Sequence, residues 1–287
     1  MNKLRLRDRL LMQEDLNFLL TNRVPRIALT HLMGWYSQLR SPLLTKFSIA
    51  VWRLFTELDL SESKQQQFDS LHDCFTRELK AGARPSDPRP EIIASPSDAI
   101  VGACGQLEGT RALQAKGMDY ELHELLGSRV LPERFAGGSY VTLRLTSSMY
   151  HRFHAPHDIE VDRVTYISGD TWNVNPIALK RVERLFCRNE RAVIEARLQS
   201  DGTPLLLVPV AAILVASMRF TFIDVLLNLR YRGPNLIPCQ ARLAKGQEMG
   251  WFEHGSTLIV ISPPGMELAD GIASGSRLRA GQALLRR

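Results

Sequence analysis

The amino-acid sequence predicts an α+β fold, in which a helical N-terminal part is followed by a mostly antiparallel β domain. Three observations predict this class. Apolar residues recur at helical spacing in residues 1–80, four prolines fall within residues 81–97, and residues 98–287 contain short apolar stretches bounded by Gly, Asn, Asp and Pro. Regular helices do not alternate with these stretches, which argues against a parallel βαβ sheet. We therefore predict a helical part over 1–80, a linker over 81–97 and a β-rich domain over 98–287.

The helical part shows a clear helix start at Ser41-Pro42, because serine is a favoured N-cap and proline fits the first helical position. The apolar residues that follow form one stripe, which comprises Leu44, Phe47, Val51, Leu54 and Phe55. A preceding helix over residues 27–39 carries Trp35 and Tyr36. Two interpretations stay open: helices packed on a core, or a surface that places aromatic rings at the level of lipid headgroups.

The positive charge of the chain is concentrated at its N-terminus. The net charge is +6, and residues 1–53 carry nine Lys or Arg against three acidic residues, so the remainder is balanced. Such a segment suits nucleic acid or an anionic membrane surface. We expect no nucleic-acid partner, because the apolar residues form helical stripes rather than RNA-binding strand motifs. We also expect no transmembrane helix and no signal peptide, since the longest uncharged stretch, 202–218, contains two prolines.

The β-rich part is predicted from its short apolar stretches, which lie at 99–101, 140–145, 161–167, 192–197, 205–215 and 258–261. Residues 140–145 alternate apolar and polar side chains, which predicts a half-buried strand. A helix is predicted over 120–126. The composition, 45% hydrophobic and 23% charged, excludes disordered and fibrous classes. Four widely spaced cysteines predict reduced thiols rather than a disulfide framework.

Four places hold groups capable of chemistry: Asp98 at the start of a strand, the pair His151 and His154, the polar segments 173–176 and 188–191, and Gly255-Ser256 before a strand. The His-x-x-His spacing is compatible with a metal pair, but no third ligand is nearby in sequence, so we expect no metal site. A general acid or base is the better interpretation of a histidine here. Ser256 does not sit in a GxSxG elbow, because Leu258 replaces the second glycine.

Taken together, these pieces resemble the phosphatidylserine decarboxylase family. The matching phrases run in family order over most of the chain, and they are Pro-Ser-Asp at 96–98, Gln-Ala-Lys-Gly at 114–117, Tyr-His-Arg-Phe-His-Ala-Pro at 150–156, Val-Asn at 174–175, Phe-Cys-Arg-Asn-Glu-Arg at 186–191, Lys-Gly-Gln-Glu-Met-Gly at 245–250 and Gly-Ser-Thr at 255–257. Two positions depart from the pattern. His254 stands where leucine is common, and Ala99 stands where glycine is usual.

The resemblance implies a self-processing enzyme that cleaves its own chain between Gly255 and Ser256 and converts Ser256 into a pyruvoyl cofactor. The products would be two chains, 1–255 and 256–287, which form an α/β heterodimer or a higher oligomer. His154, oriented by Asp98, would be the base that activates Ser256. The pyruvoyl carbonyl would then form a Schiff base with the substrate amine, and His154 would return a proton after CO₂ leaves.

The resemblance also implies the substrate and the place of action. Phosphatidylserine would be converted to phosphatidylethanolamine, with His151 at the substrate carboxylate or phosphate. The β-rich part, 98–287, would be the catalytic domain, and residues 1–80 would attach it to an anionic membrane. We expect a peripheral enzyme at the cytoplasmic face of the cell membrane. The alternative is an uncleaved, inactive relative that only binds membranes.

Overall fold

The computed structural model describes residues 14–115, 117–214, 217–253 and 256–287, and these residues form the predicted α+β fold. Helices lie mostly in the N-terminal part, and the ladders between the strands are antiparallel. The prediction of fold class is therefore confirmed.

Within residues 14–80 the structure describes four helices, which are α1 (Glu14–Asn22), α2 (Arg26–Ser37), α3 (Pro42–Phe55) and α4 (Leu71–Phe75). The predicted start of α3 is confirmed, because the Ser41 Oγ accepts a hydrogen bond from the Leu44 amide at 3.4 Å. Helix does not extend through the whole part, however. Residues 56–70 are irregular, and there the Asp59 carboxylate accepts a hydrogen bond from the Ser61 amide at 2.8 Å. Such local side-chain bonds compete with helix formation.

The apolar stripe of α3 is only partly covered by the rest of the chain. Leu44 and Val51 are half-buried, whereas Phe47, Leu54 and Phe55 are 67%, 64% and 59% exposed. Packing on a core accounts for the first two residues but not for the last three. The exposed residues leave an apolar surface for some other partner.

The largest sheet has eight strands in the order β12-β7-β8-β9-β14-β5-β2-β16. Its strands are β2 (Ala99–Gln106), β5 (Ser139–Leu145), β7 (Ile159–Ile167), β8 (Arg191–Leu198), β9 (Pro204–Ala211), β12 (Leu236–Leu243), β14 (Ser256–Ser262) and β16 (Arg277–Leu278). The stretch predicted over 205–215 forms a strand only as far as Ala211, because the chain turns at 213–214.

Three smaller sheets and several short helices complete the fold. Their strands are β1 (Ile92–Ala94), β3 (Arg111–Ala115), β4 (Met118–Glu121), β6 (Arg152–His154), β10 (Ser217–Phe220), β11 (Ile223–Asn228), β13 (Glu248–Phe252), β15 (Glu267–Leu268) and β17 (Ala283–Arg286). The helices are α5 (Leu122–Leu126), α6 (Pro176–Leu179) and α7 (Leu185–Arg188), and Leu131–Phe135 forms a 3₁₀ turn. β1 lies within the predicted linker 81–97 and pairs with β17.

Both faces of the large sheet are buried at its central strands β9, β14 and β5. Val141 and Leu143 of β5 belong to one core cluster, while Tyr140 belongs to a second cluster on the opposite face. Thr142, expected on a solvent face, is only 1% exposed. The prediction of a half-buried strand over 140–145 was therefore wrong, because helices and loops cover the face that its polar residues occupy.

Two further expectations concern the whole chain. In the described residues, no helix is both long and apolar enough to cross a membrane. The cysteines are unpaired thiols, and burial raises the pKa of Cys74 to about 11.

Candidate active site

Ser256 opens the central strand β14, between Leu145 of β5 and Ala211 of β9. Its side chain is fully buried, and its Oγ has no hydrogen-bond partner among the residues that the structure describes. A buried polar group left without a partner costs roughly 1–3 kcal/mol. Such an atom requires a structural or functional explanation. The other half of the predicted cleavage site, Gly255, and its neighbour His254 lie outside the described residues.

A cavity of about 770 Å³ is lined by Ser256, by α2, α3 and α4, and by the ends of the central strands. Its lining is mainly apolar and comprises Met33, Tyr36, Phe47, Val51, Trp52, Phe55, Leu71, Phe75, Leu145, Val174, Ala212, Ile213 and Leu214. The polar lining residues besides Ser256 are Ser48, Arg144, Thr146, Ser147, Asn173 and Asn175. A large apolar cavity with a few polar groups is the usual form of a ligand site.

His154 lies at the end of β6 and is held at both ring nitrogens. Its Nδ1 donates to the Gly246 carbonyl at 3.0 Å, because a carbonyl can only accept. In the neutral ring Nε2 is then the acceptor, and the Tyr150 hydroxyl donates to it at 3.0 Å. Burial lowers the pKa of His154, and burial raises the pKa of Tyr150. His154 is therefore a neutral imidazole with its lone pair on Nε2, which is the form a general base needs.

His151 is fully buried beside the cavity wall. Its Nδ1 donates to the Met149 carbonyl at 2.8 Å, so Nε2 is the proton-accepting atom of its neutral ring. The imidazole packs against Phe75, with ring centroids 4.0 Å apart, and Phe75 in turn stacks with Trp52 at 5.8 Å. Phe75 and Trp52 both line the cavity. These aromatic contacts connect His151 to the cavity and to α3.

Asp98 is buried in an ion pair rather than placed against His154. Its two carboxylate oxygens accept from Nε and Nη2 of Arg84, both at 2.6 Å, and one also accepts from the Ala280 amide at 2.9 Å. The expectation that Asp98 orients His154 was therefore wrong, because the two ring nitrogens of His154 bond to Gly246 and Tyr150. Asp98 acts on His154 only through space, by favouring the charged imidazolium.

The two polar segments singled out by sequence shape the cavity wall. The Asn189 amide group donates to the carbonyls of Ala211 and Trp172, at 2.8 and 2.9 Å, and its oxygen accepts from the Trp172 amide at 2.8 Å. Asn175 caps α6 through the Ala178 amide at 2.8 Å. These bonds hold the loop that includes Asn175 next to Ala211, the ladder neighbour of Ser256.

Three features of the site were not found from the sequence as functional positions. Arg84 sits in a proline-rich segment and gives no signal of its own. Tyr150 was noted only as part of a motif, although it bonds to His154. Arg144 carried a signal that went unused: a charged residue inside an apolar strand that proves to be buried on both faces.

The departure at Ala99 is tolerated by the backbone. Among the described residues, the non-glycine residues with positive φ are Arg184 and Leu214. Ala99 is fully buried at the start of β2, so its methyl group packs in the core without strain. As for metals, the described residues contain no group of three or more His, Cys, Asp or Glu side chains placed to hold one ion.

The fold and the cavity together define a class of protein. A buried serine hydroxyl at an apolar cavity, with His151 packed on the cavity-lining Phe75, is expected of an enzyme that acts on an amphiphilic molecule. The cavity is large enough and apolar enough for apolar chains.

Comparison with known proteins identifies the family. A family model described as phosphatidylserine decarboxylase matches residues 71–286. Phosphatidylserine decarboxylase proenzymes are similar over nearly their whole length. The protein of Anaeromyxobacter sp. (strain K) is 36% identical over 274 residues, which are 91% of this chain and 94% of the relative. That of Brevibacillus brevis is 34% identical over 272 residues, 92% and 95% of the two chains. That of Haemophilus influenzae strain Rd is 32% identical over 274 residues, 91% and 92%.

The chain belongs to the phosphatidylserine decarboxylase family and is an enzyme of this type. The resemblance stated from the sequence motifs is thereby confirmed.

Proposed function

We propose that the chain cleaves itself between Gly255 and Ser256 and that Ser256 becomes a pyruvoyl group. With this group it would decarboxylate phosphatidylserine to phosphatidylethanolamine at a membrane surface. The observation that carries the proposal is the buried Ser256 Oγ, which has no hydrogen-bond partner among the described residues and lines the apolar cavity. A pyruvoyl group formed from Ser256 would occupy the same position, so the residues present fit the cofactor.

The cleavage begins with the hydroxyl of Ser256. As its proton moves to a base, the Oγ bonds to the Gly255 carbonyl carbon, the peptide C–N bond breaks, and the nitrogen takes up a proton, which leaves an ester. Elimination then removes the Ser256 Cα proton and breaks the Ser256 Cβ–Oγ bond, which releases the carboxylate of Gly255 and leaves a dehydroalanine. Hydrolysis of the remaining enamine releases ammonia and leaves the pyruvoyl group. The products are the chains 1–255 and 256–287.

His154 is the base in this proposal. Two observations support it: its pKa is lowered by burial, and its hydrogen bond to Gly246 leaves the lone pair on Nε2. The Tyr150 hydroxyl must release Nε2 before that atom can take the proton of Ser256. Asp98, acting through space, stabilises the imidazolium that results. The same histidine then returns a proton to the substrate α-carbon after CO₂ has left.

The pyruvoyl group, when present, supplies the electron sink for decarboxylation. His151 serves the substrate, as its contact with the cavity-lining Phe75 supports. The apolar cavity accepts the acyl chains, whose burial is favourable.

The apolar surface of α2 and α3 supports action at a membrane. Exposed fractions reach 61% for Trp35 and 81% for Leu43, and Phe47 and Phe55 are both exposed and part of the cavity lining. The cavity is therefore continuous with the exposed apolar surface, so a lipid can enter it directly from a bilayer. Two exposed cations of α3, Lys46 and Arg53, suit anionic headgroups.

Not every N-terminal cation serves that surface. The Arg26 guanidinium pairs with Asp170 at 2.6 Å and lies 3.7 Å from the centre of the Trp172 ring. It fixes α2 to the β-rich part instead. Tyr36, one of the aromatic residues considered for the headgroup level, lines the cavity, and so does Trp52. We propose peripheral attachment at the cytoplasmic face of the cell membrane, with the two chains as an α/β pair or a higher oligomer.

The experiment is an intact-mass measurement of the purified protein, followed by trapping with an amine and borohydride. We expect two chains, with the amine adduct on chain 256–287, and conversion of phosphatidylserine to phosphatidylethanolamine. Ser256→Ala should give one uncleaved and inactive chain. Ser262→Ala is the matched control, because Ser262 is a buried serine at the opposite end of the same strand.

A single wild-type chain that carries no trapped carbonyl would contradict the proposal. If that chain still bound anionic vesicles, the alternative function, an uncleaved membrane-binding relative, would be correct.

A further inference from the structure

Arg144 is a half-buried cation, and the described residues offer it no anion. Its Nε is inaccessible to solvent and has no hydrogen-bond partner among the described residues, and none of these residues forms an ion pair with its guanidinium. Arg191, a buried arginine of the β-rich part, differs, because it donates to the carbonyls of Leu125, Cys187, Asn189 and Glu124. Arg144 differs from it in having a buried Nε that makes no bond among the described residues.

Arg144 also has a defined place next to Ser256. On β5 it pairs with Thr257 of β14, and the adjacent residue Leu145 pairs with Ser256. Its stem packs over Gly102, where an added Cβ would lie 3.4 Å from the Arg144 Cδ. Arg144 lines the same cavity as Ser256. The side chain is therefore held at the cavity by packing, although no hydrogen bond fixes its charged end among the described residues.

Burial without a counter-charge is unfavourable for a guanidinium, and here it lowers the pKa of Arg144. An anion bound in the cavity would remove that cost and would form charge-assisted hydrogen bonds. The structure around Arg144 therefore matches an anionic ligand whose remaining parts are apolar.

We propose that Arg144 binds the phosphodiester of the lipid substrate, an inference that rests on the proposed function. The substrate offers two anions, a phosphodiester and a carboxylate. The phosphodiester keeps its charge throughout the reaction, so binding it stabilises substrate and transition state alike. The carboxylate loses its charge as CO₂ forms, and a guanidinium bound to it would stabilise the ground state and oppose the reaction. The phosphodiester is therefore the partner that Arg144 favours.

The test uses three lipid probes with two hexanoyl chains, and calorimetry on the purified wild-type enzyme and its Arg144→Gln and Arg144→Lys variants. Phosphatidylmethanol carries a phosphodiester but neither amine nor carboxylate, dihexanoylglycerol lacks all three groups, and phosphatidylserine is used for turnover. We expect Arg144→Gln to weaken phosphatidylmethanol binding roughly 10- to 100-fold and to leave dihexanoylglycerol unchanged. Arg144→Lys should bind phosphatidylmethanol with an affinity between those of the wild-type enzyme and Arg144→Gln. The KM for phosphatidylserine should rise by a similar factor, while kcat changes little.

The controls separate this inference from the proposed function. Arg163→Gln, which removes an exposed cross-strand arginine far from the cavity lining, should change none of these values. Phosphatidylmethanol binding needs no pyruvoyl group, so it is informative even if the chain proves uncleaved. If Arg144→Gln does not fold, the inference is tested on the wild-type protein alone. The inference then requires that this protein bind phosphatidylmethanol at least about tenfold more tightly than dihexanoylglycerol.

Three outcomes would overturn the inference. Unchanged phosphatidylmethanol binding in Arg144→Gln, together with a raised KM for phosphatidylserine, would assign the guanidinium to the carboxylate. Equal losses for phosphatidylmethanol and dihexanoylglycerol would show that Arg144 only shapes the cavity. No change for any probe would show that Arg144 does not contact the lipid.

Discussion

Two cavities lie on either side of the loop formed by residues 146–150, and their charges are organised differently. The apolar cavity contains Ser256 and the unpaired Arg144. The second cavity, of about 380 Å³, is polar, and there Arg84 forms ion pairs with Asp98 and Glu62. Paired charges hold elements together, whereas a buried charge without a partner indicates a place for a ligand. The comparison assigns the first cavity to chemistry and the second to support of the loop between them.

The loop itself is fixed from the helical side. Arg77, which is buried, donates to the Ser148 carbonyl at 3.0 Å and to the Cys74 carbonyl of α4 at 3.2 Å. The loop leads directly into Tyr150 and His151. The position of both histidines thus depends on α4 and on the polar cavity, although neither histidine lines that cavity.

Among the changes that test this comparison, we expect the largest effect from removing the proposed base, His154. His154→Ala should prevent chain cleavage and decarboxylation, with a loss of roughly 100-fold or more, because general base catalysis contributes about that factor. The measurement is a denaturing gel of the freshly expressed variant, with an activity assay. His123→Ala, at an exposed histidine of α5, is the matched control. Normal cleavage in His154→Ala would assign the base to another residue.

The lowered pKa of His154 gives a pH prediction for both cleavage and stability. The neutral base persists below the ordinary histidine pKa of about 6.5, so cleavage should continue into mildly acid solution. The unfolded chain takes up a proton near that pH while the folded chain resists it. Stability from this group is therefore complete above about pH 6.5 and is lost as the pH falls below it. Time courses of cleavage between pH 5 and 8 check the first prediction, and urea unfolding titrations over the same pH range check the second. Cleavage lost already above pH 7 would contradict the assignment.

The ion pair of the polar cavity gives the next largest effect. Asp98→Asn should reduce the free energy of unfolding, but by less than the roughly 3–5 kcal/mol expected for an uncompensated buried charge, because Glu62 still pairs with Arg84. Adding Arg84→Gln should recover most of that loss. If Asp98 also acts on His154 through space, the folded double variant will still cleave more slowly than wild type. Cleavage at the wild-type rate would limit Asp98 to a structural role.

Membrane attachment is predicted to depend on the exposed residues of α3. Leu43 and Leu54 are exposed and do not line the cavity, so Leu43→Ser with Leu54→Ser should weaken binding to anionic vesicles without affecting cleavage. A fully inserted leucine contributes about 1.5–3 kcal/mol. Neutralising Lys46 should cost only about 1 kcal/mol. Leu113→Ser, at an exposed leucine of β3, is the control in a vesicle sedimentation assay. Unchanged binding would place the membrane surface elsewhere.

The sequence predicted the fold class and several elements because local rules decide them. Ser41-Pro42 fixed the start of α3, and the continuous apolar stretch 258–261 predicted the strand that Ser256 opens. The partner of Asp98 could not be predicted, because Arg84 reaches it through tertiary contacts and not through sequence spacing. The same holds for the burial of Arg144, which depends on what covers the second face of the sheet. The motif resemblance predicted Ser256 and both histidines as site residues, but it did not predict the hydrogen-bond partners of the histidines.

The smallest effect concerns α3 and α4, two of the three helices that line the cavity. The Ser41 Oγ caps α3, and the Ser70 Oγ caps α4 by accepting from the Asp73 amide at 3.1 Å. Replacing either serine by alanine should cost about 1 kcal/mol of unfolding free energy. Ser70→Ala should also impair decarboxylation more than Ser41→Ala does, because α4 carries Phe75, which packs on His151. Urea titration and an activity assay check this order. Equal activities would mean that α4 keeps its position without its cap, since its packing on the aromatic rings of Trp52 and His151 would then suffice.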